Sequence, residues 1–194
     1  MPLVLALKNQ KSVVVASDTD GTPMAADRFG QFMPLPNRTA LLLVGNLAAV
    51  KHAVVETVMP KITSSLSTAG LAQLIQAALV LELVPHLAEL KGRIEIIVAG
   101  IDPVRHIEEP NLYYMDSAQD FYLKVVDAGY ALAGSTATAG PLLLGRDYNE
   151  LSNQHLKDLA KECYATTKLR WPEAVASHIE IATISSQNTM IENY

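Results

Sequence analysis

MPLVLALKNQKSVVVASDTDGT, residues 1–22, holds two apolar runs, Leu3–Lys8 and Ser12–Ser17, on either side of Asn9-Gln10-Lys11. The polar tripeptide reads as the turn of a β-hairpin, and the leucine- and valine-rich flanks read as its strands. Neither run alternates cleanly between apolar and polar residues, so both faces of the sheet that holds them are expected to be covered. A sheet open to water on one side would show the alternation.

Outward from the hairpin, Asp18–Thr22 with Gly21 and Pro23 forms a turn cluster, and TALLLVG (39–45) is another strand buried on both faces. The period then changes. Asn46 is placed to cap a helix with apolar positions Val50, Ala53, Val54 and Val58, which Pro60 ends. Ser67 is placed to cap a second, with Leu71, Leu74, Ile75, Ala78 and Leu79. Pro85 kinks or ends that helix, and Gly92 stops it in either case. Three strands are expected at Ile94–Ile101, Leu112–Asp116 and Phe121–Val126, joined by DPVRHIEEPN and SAQ as surface turns. A short helix is expected near Ser135, a longer one from about Ser152 to Lys168, and a last strand at Ile179–Ile184. Strands and helices come in blocks, which indicates an α+β layered domain over 1–194, with no linker or repeat.

Composition narrows the function classes. Of 194 residues, 49% are hydrophobic and 18% charged, so much surface is expected to be buried between layers or between subunits. The net charge of -5 and the scattered Lys and Arg supply no field for nucleic acid. Apolar runs such as Ala77–Val84 fall short of the roughly 20 residues that span a bilayer, and the opening lacks the basic region of a signal peptide. A cytoplasmic location follows as the expectation. The single Cys163 reads as a buried small hydrophobe in the rhythm Leu156, Leu159, Cys163. His52, His86, His106, His155 and His178 lack ligand spacing, and there is no glycine-rich phosphate loop, so no metal or cofactor is expected. In Tyr113-Tyr114 and Phe121-Tyr122, period-2 alternation puts one ring of each pair in the core.

Four stretches taken together resemble the proteasome β-subunit and HslV peptidase family of N-terminal-nucleophile hydrolases. They are the hairpin ending VVVASD (13–18), the junction LLLVGNLAAV (41–50), IIVAGID (96–102) followed by NLYYMDSAQDF (111–121), and ALAGSTATAGPLL (131–143). The resemblance covers nearly the whole chain. It implies a four-layer αββα sandwich of two antiparallel sheets, and a ring-type homo-oligomer of six or seven subunits or a stacked pair. In active members an N-terminal threonine supplies the attacking hydroxyl while its own α-amine acts as base. The residue aligned with that threonine here is Pro2, which has no hydroxyl.

The family's aspartate at the end of the second strand matches Asp18. Its catalytic lysine falls near Gln31, and no lysine occurs between Lys11 and Lys51. Arg28 and Arg38 lie nearby, but a guanidinium is a poor replacement for a tunable ammonium. Gly134-Ser135 matches the family's glycine-serine pair, which also suits a helix cap. The late aspartate and serine fall in LRWPEAVAS (169–177), where Glu173 and Ser177 are nearest. Without a lysine, Asp18 reads as a turn residue accepting backbone N–H bonds. Thr19 or Thr22 as a nucleophile would discard the hairpin. The Pro2 amine, once freed from Met1, is a chemically possible base or nucleophile. The expectation is therefore a catalytically silent, ring-forming subunit with a structural or binding role. The alternatives are an amide hydrolase with a rearranged site and a small-ligand binder using the cleft between the sheets.

Overall fold

The first two strands, β1 (Leu3–Lys8) and β2 (Ser12–Thr19), pair antiparallel with Leu5 opposite Ala16 and Lys8 opposite Val13. Asn9 makes the turn: its Oδ1 accepts the backbone N–H groups of Lys11 and Ser12, each at 2.9 Å. This chain is a computed structural model that describes residues 2–19, 32–90, 92–104, 107–173, 175–176, 178–185 and 188–194.

Further strands follow: β3 (Phe32–Leu35), β4 (Thr39–Val44), β5 (Glu95–Val104), β6 (Ile107–Asp116), β7 (Lys124–Val125), β8 (Tyr130–Gly134), β9 (His178–Ser185) and β10 (Thr189–Asn193). They form two antiparallel sheets, ordered β10-β9-β2-β1-β8 and β3-β4-β5-β6-β7. The helices are α1 (Leu47–His52), α2 (Thr68–Glu82), α3 (Gly140–Leu143) and α4 (Asn153–Arg170).

Three stacked cores explain the missing alternation in the hairpin. Val4, Ala6, Val13 and Val15 face inward against Ala40, Leu42, Ile97 and Ala99 of the second sheet. Leu3, Leu5, Leu7, Val14 and Ala16 face outward against Leu143 of α3 and Leu156, Ala160 and Tyr164 of α4. On the far side, Leu41, Leu43, Ile96 and Val98 pack under Val50, Leu71, Ile75 and Leu79. The chain is thus an α+β sandwich, with helices on the outer face of each sheet.

Caps set the helix starts as expected. Asn46 Oδ1 accepts from Ala49 N at 3.1 Å and Ser67 Oγ from Gly70 N at 3.0 Å. After α1 the chain widens into π turns at Ala53–Val58, then tightens into a 3-10 turn at Met59–Lys61 that contains Pro60. Helix α2 ends at Glu82, and Pro85 falls in the 3-10 turn Val84–His86.

The structure corrects several expectations. Strands β3, β8 and β10 are additional. Only Lys124–Val125 of the expected Phe121–Val126 strand is extended. Asp120 and Phe121 turn through φ of 49° and 57°, which drops the Phe121 ring fully into the core beneath α2. Residues 102–104 and 107–111 extend β5 and β6 rather than lying in a surface turn. No helix begins at Ser135; the stretch before it is β8, a first turn closes from Gly140 N to Thr136 O at 2.8 Å, and the short helix α3 starts at Gly140. Residues Thr68–His86 are long and apolar enough to cross a membrane by length and composition, which the run lengths did not anticipate. Their Leu71, Ala72, Ile75, Ala78 and Leu79 lie in the core against the sheet.

Helix α2 is unevenly buried despite being apolar nearly all round: Leu71 is 1% exposed and Leu81 73%. Leu71→Ala is expected to lower unfolding free energy by about 2–5 kcal/mol through the cavity it leaves. Leu81→Ala is expected to stay within about 0.5 kcal/mol in the isolated chain. Urea denaturation of both variants at low protein concentration checks the contrast.

Candidate functional site at the head of the first strand

The positions singled out by sequence converge where β1 begins. Pro2 is half-buried, and its carbonyl accepts the backbone N–H of Ser135 at 2.9 Å. Gly134, one residue earlier, has φ of 85°, and a Cβ there would lie 1.9 Å from the Pro2 carbonyl oxygen. Only glycine fits so close a backbone approach. The Gly134-Ser135 pair therefore clamps the end of β8 to the start of β1 through its backbone, and does not cap a helix.

Asp18 lies one residue beyond the pairing of Ser17 with Val4, which brings it level with Leu3. Its carboxylate is 7% exposed, and Oδ2 accepts the N–H of Ala176 at 3.0 Å. The buried Oδ1 has no hydrogen-bond partner among the described residues. Burial pushes the Asp18 carboxyl up from its ordinary value. Hydrogen bonds from the backbone N–H groups of Ala176, Asp18 itself and Leu3 oppose that shift.

Tyr164 of α4 completes the frame by donating its phenol O–H to the Leu3 carbonyl. Its own ionisation is pushed far upward, first by burial and then by the negative charge of Asp18. Two hydrogen bonds, from Ser135 N to Pro2 and from Tyr164 to Leu3, thus fix the first residues of β1 from opposite sides. Ala176 and Tyr164 were not singled out by sequence. A backbone N–H carries no residue signal, and Tyr164 reads in the helix pattern only as another inward position.

The other site positions do not join this cluster. Gln31, Arg28, Thr22 and Ser177 lie outside the described residues, as does His106. Arg38 pairs with Glu108 at 3.0 Å. Glu173 is exposed. Cys163 is fully buried in the outer core, where burial pushes its thiol up to about 12, as suits a packing residue rather than a nucleophile. Among the described residues no three His, Cys, Asp or Glu side chains are grouped as metal ligands. Tyr113 and Phe121 are the core members of their pairs, while Tyr122 is exposed.

The arrangement holds a buried acid next to a rigidly held Leu3, and the hydroxyl of Tyr164 is committed to the Leu3 carbonyl. Compared with known proteins, the chain matches no protein-family model and no curated protein.

A carboxyl whose folded-state pKa is raised favours folding most below its unfolded value, near 3.8, and that contribution is lost as pH climbs through the raised value. Asp18→Asn keeps an acceptor for Ala176 and removes the buried charge. Its melting temperature relative to wild type is therefore expected to rise as pH climbs above about 4 and to level off once the raised value is passed. A difference that instead moves in favour of wild type over the same range would mean that a cation pairs with Asp18.

Proposed function

We propose that the chain is a catalytically silent subunit of the proteasome β type, acting through assembly or binding rather than hydrolysis. The observation that carries this reading is the head of β1. There Pro2 stands in place of a hydroxyl residue, its carbonyl clamped by Ser135 N. Beside it, Asp18 keeps one buried oxygen without a partner among the described residues.

Hydrolysis by a side chain at the chain start needs a hydroxyl or thiol activated by an adjacent base. Proline supplies neither. The resemblance of the four sequence stretches, and a sandwich of two antiparallel sheets between helices, support the choice of family. Retained backbone features, Gly134-Ser135 and Asp18, maintain the shape of the chain start without its chemistry.

Assembly is the second half of the proposal. On the outer side of α2, Val80 is 40% and Leu81 73% exposed, and a helix apolar on its outer side is best buried against a neighbour. A head-to-tail contact that closes gives a ring.

Purified protein is expected to release no fluorophore above blank from short fluorogenic peptides and to leave denatured casein intact. In analytical ultracentrifugation it is expected to sediment as a multiple of 21.0 kDa, and Leu81→Lys is expected to lower that mass. Steady peptide turnover would favour a rearranged amide hydrolase instead. A monomeric mass at micromolar concentration would remove the assembly claim.

A further inference from the structure

Strand β8 ends its sheet, and the direction of its backbone groups follows from two hydrogen bonds at its ends. Lys8 N donates to Gly129 O at 2.8 Å and Ser135 N to Pro2 O at 2.9 Å. Residues 129, 131, 133 and 135 therefore face β1, and by antiparallel alternation Tyr130, Leu132 and Gly134 direct their N–H and C=O groups to the open side. Gly134 is already served there: its N–H donates to Glu95 Oε2 at 2.9 Å, and its carbonyl accepts from Thr136 N at 2.9 Å. The N–H and C=O groups of Tyr130 and Leu132 have no strand to pair with among the described residues.

A cleft of about 790 Å³ runs along this edge. One wall comes from residues 124–128, with Val125 64% exposed. The other comes from Pro141 and Leu144 at α3, with Leu144 66% exposed. The volume falls in the range of ligand sites, and both walls are largely apolar.

The edge lies between those walls. A single extended chain fits, at the roughly 4.8 Å spacing of paired strands. Its side chains would alternate between the α3 wall and the Val125 wall, so apolar residues suit both sets of positions.

Charge marks the two ends. Lys124 pairs with Tyr114, whose O–H donates at 2.5 Å to Glu95, the residue that holds Gly134. Lys124 and the half-exposed Arg93 thus lie toward the Gly134 end. Arg93 is held by the buried Asp116 and is 3.4 Å from Glu95, so it offsets the charge of Glu95 in the cleft lining. Asp127, exposed, precedes β8 and marks the Tyr130 end.

We propose that this groove binds an extended segment of a partner polypeptide by strand addition to β8, apolar over about five residues, with an acidic group toward Gly134 and a basic one toward Tyr130. The proposal does not rest on the silent-subunit reading, since the free backbone groups of Tyr130 and Leu132 are the same whether or not Pro2 is inert.

The test is calorimetric titration with blocked heptapeptides, five valines flanked by lysine at one end and glutamate at the other, synthesised in both orders. Saturable binding is expected for one order, about tenfold weaker when two alternate backbone amides are N-methylated, because the ladder bonds are lost. It is also expected to weaken in Val125→Asp and in Leu144→Asp, both exposed positions whose folding is verified by melting. No saturation below about 1 mM for either order overturns the proposal, as does binding that N-methylation leaves unchanged. So does a pattern in which the two variants lower the sedimenting mass while wild type binds no peptide, which would make the groove an interface between copies.

Discussion

Double burial of β1 is the constraint on which the other layers depend. Its even side chains, Val4 and Ala6, are needed by the core between the sheets, and its odd ones, Leu3, Leu5 and Leu7, by the core beneath α4. Each fully buried leucine or valine contributes about 1.5–3 kcal/mol relative to exposure, so neither face can be left to water. A shift by one residue would exchange the two sets and misfit both. The short turn at Asn9 and the Gly134 clamp hold that register from its two ends.

The site inherits its rigidity from this arrangement. Pro2 and Leu3 are positioned by Ser135 N and by Tyr164, each on a different element, so the chain start is placed by β8 and α4 together. Such a frame suits chemistry at a chain terminus, where a reacting group must be held closely. Here the frame surrounds a proline. Burying the Asp18 carboxyl carries a desolvation cost that backbone N–H groups offset only in part, since Oδ1 has no hydrogen-bond partner among the described residues. That rigid frame around Pro2 is the observation on which the silent-subunit proposal rests.

What could be read in the sequence follows from how each element is buried. Strands β1, β2, β4 and the start of β5 are continuous apolar runs because they are covered on both faces, and such runs are legible. β3 was missed because Pro34 argues against a strand; it lies at a sheet edge, where proline is tolerated. β10, with Met190 and Ile191 about half exposed, lies at an edge of the other sheet and has only a weak pattern. β8 is built from Tyr-Ala-Leu-Ala-Gly, whose alanines favour no strand, so Gly134-Ser135 looked like the start of a helix. The site was legible where side chains mark it, at Pro2 and Asp18. The pair Gly134-Ser135 was legible too, though not the backbone clamp it makes; illegible were Ala176, where a backbone N–H does the work, and Tyr164, which reaches Leu3 across 161 residues of chain.

The most direct measurement of the central claim is intact-mass spectrometry after incubation with a peptide epoxyketone, which forms a covalent ring only with an N-terminal residue that carries both a hydroxyl and a free amine. The account predicts an unchanged protein mass after prolonged exposure to excess reagent. A stoichiometric adduct that maps to the residue at the head of β1 would contradict it.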